Sequence, residues 1–179
     1  MLDFYFGSDL MRKYKFAICS KDDIPLINDL MNHIDLEISN PYIFVKDDKT
    51  FIEDHISKKG FTIKATTNHK MVAFLIVRYP RKEADNLGKD VRIDPEDYDN
   101  IAHMESVVVV PNHRGNKLML KLLKKAEKEL LKQEISYSLA TVSPKNKYSL
   151  INFLKRDYVV RKIKKKYNGV ERLILFKTL

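Results

Sequence analysis

Apolar positions recur along this chain with two different periods, and these periods predict an order of helices and strands. Helices are predicted over residues 22–38, 47–57, 118–131 and 146–155. Strand-like runs, several of them rich in β-branched residues, cover 14–20, 61–67, 71–79, 101–110, 136–142, 158–165 and 171–179. The predicted order is therefore β-α-α-β-β-β-α-β-α-β-β.

This order predicts a single α/β domain of the mixed α+β kind over residues 1–179, since the sequence contains no repeat and no Gly/Ser linker. The strand–helix–strand unit over 101–142 implies a local parallel pairing within an otherwise largely antiparallel sheet. The last two strands are expected to form a hairpin that turns at Asn168 and Gly169, because Asn-Gly favours tight turns.

A long polar segment, residues 80–100, separates the third and fourth predicted strands, and we call it the acidic segment. From Glu83 to Glu105 the chain carries eight acids against only Lys89 and Arg92. Loops of this length inside a compact domain often border a functional site. The alternative is a merely solvated loop.

Composition narrows the class of protein. The net charge of +9 and the pI of about 9.4 favour an anionic partner, which could be a nucleic acid, a membrane surface or a phosphorylated cofactor. One cysteine, Cys19, cannot form an intramolecular disulfide, which suits a reducing cytoplasm. The N-terminus lacks the pattern of a signal peptide, and no apolar run approaches the roughly 20 residues of a membrane span. The histidines show no metal-ligand spacing, so no metal is expected.

The clearest chemical signal is a strand that leads through a glycine-containing loop directly into a helix. The strand stops at Pro111, the loop contains Gly115, and the helix begins at Leu118. The first amides of a helix lack partners and lie at the positive end of its dipole, so they form an anion site. Gly115 permits backbone conformations closed to other residues. The spacing matches neither a nucleotide P-loop nor a GxGxxG loop.

This segment resembles the GNAT acetyltransferase superfamily, in which a strand ending in Val-x-Pro precedes an Arg/Gln-x-x-Gly-x-Gly/Ala loop and a helix. Val109-Val110-Pro111 and Arg114-Gly115 stand at the corresponding places. A second match lies downstream and is similar to the family's Asn-x-x-Ala/Ser, aromatic and Gly-Phe signature: Asn146, Ser149, Phe153 and Asp157-Tyr158. The resemblance implies the family's seven-stranded mixed sheet over nearly the whole chain.

The chain departs from this pattern at four positions. Asn112 replaces the usual Arg/Gln, Lys117 replaces the second Gly/Ala, and Asp157 replaces a Gly. Backbone amides survive the first two changes, and Lys117 can add a phosphate contact. Phe153 stands where many members carry a Tyr that is thought to protonate the leaving thiolate, so this general acid is missing unless Tyr148 or water serves.

The resemblance implies acetyl-CoA as the co-substrate, held without a metal. Its pantetheine is expected to pair with the backbone of Val107, Val108 and Val109, where one N–H polarises the thioester carbonyl. The pyrophosphate is expected to bind the amides of Arg114, Gly115, Asn116, Lys117 and Leu118. Asn146 is expected to bond the pantetheine arm, with Ser149 and Phe153 lining it.

Two residues of the central strand are candidates for the base that deprotonates an acceptor amine. Glu105 is the first, since in a regular strand it shares a face with His103, Val107 and Val109. His103 is the second, because histidine titrates near neutrality. The structural alternative for Glu105 is an acid paired with a neighbouring base.

These observations predict an N-acetyltransferase that moves the acetyl group of acetyl-CoA to a primary amine. By the resemblance, the acidic segment lies on the acceptor side and favours a cationic amine. A non-catalytic CoA-binding sensor or interaction module of the same fold is the alternative, and a basic nucleic-acid-binding protein is the third hypothesis. No membrane partner is expected. The identity of the acceptor, and whether the chain forms a homodimer, stay open.

Overall fold

The computed structural model describes residues 13–38, 43–167 and 169–179. Within these ranges the chain forms seven strands and five helices. The strands are β1 (Lys15–Ile18), β2 (Gly60–Thr67), β3 (Lys70–Arg78), β4 (Ile101–Val109), β5 (Tyr137–Val142), β6 (Val159–Lys166) and β7 (Val170–Thr178). The helices are α1 (Ile24–Glu37), α2 (Lys49–Ser57), the short α3 (Gly88–Val91), α4 (Leu118–Lys132) and α5 (Lys147–Leu154).

The element order agrees with the prediction, with α3 as an addition inside the acidic segment. A 3₁₀ helix, Pro95–Asn100, also lies in that segment, so it is more structured than its composition suggests. Asn168 of the predicted hairpin turn lies outside the described residues, as do the N-terminal residues on which the expectation about a signal peptide rests. Within the described ranges, no helix has the length and apolar character needed to cross a bilayer.

The seven strands form one mixed, largely antiparallel sheet, as predicted, and their order in the sheet is β1-β2-β3-β4-β5-β7-β6. The only parallel pairing among the described strands joins β4 to β5. It spans three residue pairs and ends where His103 pairs with Leu139. Beyond His103, β4 therefore has a neighbour on its β3 side alone, and a groove opens between β4 and β5.

Helices cover both faces of the sheet. On one face, α4 presents the apolar stripe Leu122, Leu123, Ala126 and Leu130, which packs into the largest core cluster together with Phe153 of α5. The stripe forms because residues three or four apart share one side of a helix. The opposite face is covered by α1, α2 and the acidic segment.

The central strand β4 contains a β-bulge. Between Met104 and Val107, two residues of β4, Glu105 and Ser106, stand opposite a single residue of β3, Ile76. Bulges bend a strand and redirect its side chains, and they often lie beside active sites.

The bulge changes which residues share a face of β4. Ala102 and Met104 pack against the α4 side, and so do Val107 and Val109, although Ala102 and Val107 are an odd number of positions, five, apart. A regular strand would have put Glu105 on the face of these two valines. Our expectation that Glu105 shares a face with Val107 and Val109 is therefore wrong.

Candidate active site

The groove between the diverging strands β4 and β5 continues to α5. Four of the predicted cofactor-binding residues line it: Val107, Asn146, Ser149 and Phe153. Glu105 lines the same groove. The strand–loop–helix motif and the downstream motif, far apart in sequence, thus meet in one place.

The side chain of Asn146 already accepts one hydrogen bond from within the protein. It is the N-cap of α5, and its Oδ1 accepts a hydrogen bond of 3.0 Å from the backbone N–H of Ser149. Such a cap satisfies one of the amides that a helix start leaves without a partner. The Nδ2 group of Asn146 is therefore the part that can donate to a bound ligand.

The loop between β4 and α4 has the conformation expected of an anion-binding turn. Gly115 has φ = 81°, and a Cβ built on it meets no described atom within 4 Å. Lys117, directly before α4, is also left-handed, with φ = 58°. A side-chain-bearing residue in this region costs about 1–2 kcal/mol. Lysine thus stands, at some strain, where the family pattern has a small residue.

The other predicted phosphate-binding residues contribute unequally. The amide of Arg114 donates to the carbonyl of Pro111 at 3.0 Å, so it is not free for phosphate. The Arg114 Nε donates to the carbonyl of Val109 at 3.2 Å. Asn116 uses its Nδ2 to donate to the carbonyls of His113 and Arg114. The amides that follow Arg114 are therefore the better candidates.

Two of the predicted cofactor contacts can come from the backbone alone. The side chain of Val108 packs in the core beneath α1 and α2. The side chain of Leu118, at the start of α4, packs in the core between α4 and the sheet. Neither side chain reaches the groove. Leu118 is the first residue of α4, so its amide has no partner within the helix.

The aromatic position of the downstream motif offers no proton. Phe153 is buried, and its ring packs edge-to-face on Tyr158 at 4.9 Å. Tyr148, the alternative considered from sequence, is 86% exposed and outside the groove. Tyr167, in the turn after β6, does line the groove, and its hydroxyl lies 2.9 Å from Oγ1 of Thr141.

Glu105 is held by two donors through one of its oxygens. Nη1 of Arg78 and Nδ1 of His103 each lie 3.2 Å from Oε1 of Glu105. Burial alone raises the pKa of this carboxyl, but the hydrogen bond from His103 and the nearby positive charge of Arg78 outweigh it and lower the pKa. Glu105 is therefore a paired carboxylate, as the structural alternative held, and it also faces the groove with a side chain that is 19% exposed.

His103 is already engaged through both ring nitrogens. Its Nε2 accepts a hydrogen bond of 3.2 Å from the backbone N–H of Leu87, which leaves the ring proton on Nδ1. Nδ1 then donates to Glu105. A proton taken up at Nε2 would break the bond to Leu87. This arrangement suits a residue that orients Glu105 better than it suits a base.

Asp47 is a site residue that sequence reasoning missed. It lies in the segment before α2, and its Oδ2 accepts a hydrogen bond of 2.5 Å from Ser106 Oγ of the bulge. Burial and the negative charge of Glu105 together raise the pKa of Asp47 to about 6, although the hydrogen bond from Ser106 acts to lower it. No regular pattern marks this acid in the sequence.

A second cavity adjoins the first and shares Glu105, Asp47, Thr141 and Tyr167 with it. The acidic segment reaches this cavity through Asp85 and Leu87. Its more distant acids, Asp94, Glu96 and Asp97, line neither cavity.

Two further observations concern the single cysteine and metal binding. Burial raises the pKa of the Cys19 thiol to about 12, so Cys19 stays protonated and packs as a core residue. Among the residues that the structure describes, no group of three or more His, Cys, Asp or Glu side chains could hold a metal ion.

The family is decided by comparison with known proteins. A family model described as the acetyltransferase (GNAT) family matches residues 28–158, which is well over half of the chain and includes the loop and both motifs. The chain belongs to the GNAT acetyltransferase family.

Solved structures agree with this assignment at the level of the fold. A GNAT-family acetyltransferase from Streptococcus pneumoniae is 15% identical and covers 93% of this chain and 99% of its own, with a TM-score of 0.72. An acetyltransferase from Salmonella typhimurium with its cofactor acetyl-CoA is 14% identical, covers 92% of this chain and 93% of its own, and has a TM-score of 0.69. An aminoglycoside acetyltransferase in complex with coenzyme A and kanamycin is 11% identical, covers 93% of this chain and 95% of its own, and has a TM-score of 0.68.

Sequence comparison with curated proteins produced no significant match. The GNAT assignment therefore rests on the family model, and the solved structures add the fold.

Proposed function

We propose that this GNAT protein is an N-acetyltransferase that uses acetyl-CoA as the donor and a cationic primary amine as the acceptor. The observation that carries the proposal is that two cavities meet at Glu105. One cavity is lined by four of the predicted cofactor contacts, Val107, Asn146, Ser149 and Phe153, and the lining of the other includes the carboxylates of Asp47, Asp85 and Glu105. Such an arrangement lets a thioester and an amine approach one carboxylate from two directions.

Donor binding is supported by the loop and the groove. Gly115 leaves open space beside the first amides of α4, where a pyrophosphate can accept hydrogen bonds. The pantetheine arm then follows the unpaired edge of β4 past Val107 towards α5, where Asn146 Nδ2 can donate to it. The neighbour crystallised with acetyl-CoA supports this choice of donor.

The chemistry assigned to this chain is a direct transfer. The neutral amine nitrogen attacks the thioester carbonyl carbon and the C–S bond breaks. The nitrogen then loses its remaining surplus proton to solvent, and the departing CoA thiolate takes a proton from water or a nearby hydroxyl. A backbone N–H near Val109 stabilises the carbonyl oxygen as charge develops on it. The ammonium proton leaves through Glu105 Oε2, the oxygen that is not held by Arg78 or His103, and passes on to solvent.

A cationic acceptor is supported by the charges around the second cavity. Arg78 is shared among Asp85, Glu83 and Glu105, so these acids outnumber the cation that holds them, and Lys166 is paired with Asp90. Asp47 accepts its hydrogen bond from a neutral hydroxyl, that of Ser106. A substrate ammonium would supply the positive charge beside Asp47 and Glu105. The neighbour bound to kanamycin provides a precedent for an amine-bearing acceptor.

A non-catalytic CoA-binding module is the second candidate, because Phe153 removes the hydroxyl that many family members have at this position. Tyr167 provides a hydroxyl in the same groove, and Glu105 is retained. Both observations favour the enzyme.

The third hypothesis, nucleic-acid binding, loses support from the basic strand β6. Three of its lysines contact Asp90 of the acidic segment: Lys162, Lys164 and Lys166. Lys164 and Lys166 pair with the carboxylate of Asp90, and Lys162 donates to its backbone carbonyl, so these lysines are engaged within the chain itself.

The experiment that tests the proposal measures thiol release from acetyl-CoA with a panel of amines: monoamines, diamines, polyamines, an aminoglycoside and neutral amides. We expect turnover with amines, with a preference for those carrying additional positive charge. CoA-dependent thermal stabilisation without turnover on any amine would favour the non-catalytic module. The absence of both would contradict the proposal entirely.

A further inference from the structure

The guanidinium of Arg78, at the end of β3, lies at the centre of a buried ion-pair network. Its side chain is only 7% exposed. Nη1 donates to Oε1 of Glu105 at 3.2 Å and to Oδ2 of Asp85 at 2.8 Å, while Nη2 donates to Asp85 and Glu83. One cation therefore binds three carboxylates, two of which belong to the acidic segment.

His103 ties the same segment to the same oxygen. The backbone N–H of Leu87 donates to Nε2 of His103, and Nδ1 of His103 lies 3.2 Å from Oε1 of Glu105. Oε1 is thus held from two sides by groups that the acidic segment itself holds. Oε2 makes no hydrogen bond with any residue that the structure describes, and Glu105 lines both cavities.

The register of the sheet explains why Arg78 can reach this position. Arg78 pairs with His103 across β3 and β4, directly beside the bulge that contains Glu105. A buried guanidinium forms up to five N–H bonds in a rigid plane, which lets it serve several carboxylates together. A lysine at this place has a single charged nitrogen and a different geometry.

We propose that Arg78 is a positioning residue for the acetyl transfer, which holds Oε1 of Glu105 so that Oε2 is left for the acceptor amine. The acidic segment contributes by holding Arg78 through Glu83 and Asp85, and so determines the direction of the catalytic carboxylate. The proposal rests on the proposed function for the role of Glu105. The electrostatic effect of Arg78 on Glu105 belongs to the folded chain itself and does not depend on turnover.

The charged and titratable groups around Glu105 come from several elements, and each contributes to its titration. Arg78 and His103 favour the carboxylate, whereas Asp85 opposes it. These groups include Arg78 of β3, His103 of β4, Asp85 of the acidic segment, Asp47 before α2, His55 of α2 and Tyr167 after β6. Lys166 of β6 and Arg172 of β7 also line the cavities that Glu105 faces. An opposite charge at this distance lowers a carboxyl pKa by about 1–3 units, which is about 10- to 1,000-fold in the protonation constant.

The test is a titration of Glu105 by NMR in protein labelled with ¹³C at glutamate carboxyls, where Glu105→Gln assigns the signal. In the wild type we expect the pKa of Glu105 to lie below its ordinary value of 4.5. In Arg78→Gln the protonation constant should rise at least about tenfold. The matched control is Arg156→Gln, which removes a cation from another largely buried ion pair, with Glu127, outside the site. It should destabilise the fold without changing the titration of Glu105.

A second variant keeps the test decisive if Arg78→Gln does not fold. Arg78→Lys keeps the charge but cannot hold three carboxylates, so the protonation constant of Glu105 should rise by about threefold or more. In the thiol-release assay, Arg78→Lys should lower kcat by about 10- to 100-fold and leave the KM for acetyl-CoA unchanged.

Three results would overturn the positioning role. The first is a wild-type pKa of Glu105 at or above 4.5. The second is an unchanged titration in the folded Arg78 variant, and the third is a kcat for Arg78→Lys equal to that of Arg156→Gln. If no amine is acetylated by the wild type, the proposed function fails, and the titration still decides whether Arg78 controls Glu105.

Discussion

Ser106 Oγ donates a hydrogen bond of 2.5 Å to Oδ2 of Asp47, and this bond joins the segment before α2 to the bulge that contains Glu105. The carboxylate that accepts this bond is buried. Burial disfavours the charged form and raises the pKa of Asp47 to about 6. A residue retained in its charged form under such conditions is a candidate for function. This relationship leads to a prediction with two separate readouts.

The first readout is stability. The folded protein holds the proton of Asp47 more tightly than the unfolded chain does, since the pKa is raised from 3.8 to about 6. The favourable contribution of protonated Asp47 to the free energy of unfolding is therefore complete below about pH 4 and is lost as the pH rises through about 6. Asp47→Asn should make the protein more stable than wild type at pH 7, by at most about 3 kcal/mol. Urea unfolding should show this difference shrinking towards pH 4.

The second readout is acceptor binding. Asp47→Asn should raise the KM for a cationic acceptor about tenfold or more, because a hydrogen bond to a charged group contributes about 1.5–3 kcal/mol. A variant with Asp94, Glu96 and Asp97 all neutralised is the control, since these acids line neither cavity, and its acceptor KM should equal that of wild type. An unchanged KM in Asp47→Asn would make Asp47 a strained acid without a part in binding.

Glu105→Gln should lower kcat by about 10²- to 10⁴-fold while the affinity for CoA stays the same, since glutamine keeps the shape but cannot take the proton. The deficit should shrink at high pH, where more amine arrives already deprotonated. Steady-state kinetics across pH checks this. Glu127→Gln, at a buried acid outside both cavities, is the control. Full activity of Glu105→Gln at pH 7 would mean that the base lies elsewhere.

The pH–rate profile of the wild type follows from the pKa of Glu105. Because the hydrogen bond from His103 and the charge of Arg78 outweigh burial and lower this pKa, Glu105 should be ionised throughout the range from pH 5 to 8. Loss of rate towards low pH should therefore follow protonation of the amine and of Asp47, whose pKa is about 6. A profile that shifts with the pKa of the acceptor supports this. An acid limb that stays fixed near pH 6 in Asp47→Asn contradicts it.

CoA and acetyl-CoA should stabilise the protein against heat. A ligand that binds only the folded state, present at about 100 times its dissociation constant, adds about 2.7 kcal/mol. Gly115→Glu should abolish this gain, because it places a carboxylate beside the anion site. Gly169→Glu is a matched control, since Gly169 also has a positive φ and open space around its Cα. Both variants should lose stability, but only Gly115→Glu should lose the response to CoA in differential scanning fluorimetry.

The order of elements could be predicted from sequence because each element carries its own local pattern. The stripe of α4 repeats at three and four residues, and the strand-ending Pro111 and the loop residue Gly115 mark the boundary between β4 and α4. The family resemblance implied that residues of both motifs contact one cofactor, and Val107, Asn146, Ser149 and Phe153 do line one groove.

The details around Glu105 could not be predicted, because they depend on contacts between distant parts of the chain. The bulge in β4 is visible only when its pairing with β3 is known, so periodicity assigned Glu105 to the wrong face relative to Val107. The bond between Leu87 and His103 comes from the return of the acidic segment onto the sheet. Asp47 was missed for the same reason, as its partner is Ser106, 59 residues away.

Strand β6 lies at the edge of the sheet, and this position gives part of the chain's positive charge a role. In the described part of the chain β6 pairs with β7 alone, so its outer row of backbone N–H and C=O groups is available to any other strand. Three of its apolar residues are also exposed: Val159, Val160 and Ile163. Such an edge promotes aggregation unless charges interrupt it. The cations of this strand, from Arg161 to Lys166, outnumber the one acid that they contact, Asp90, so β6 keeps a positive surplus. This surplus repels a second copy of the same strand, so part of the net charge of +9 acts to keep the folded molecules apart at high concentration.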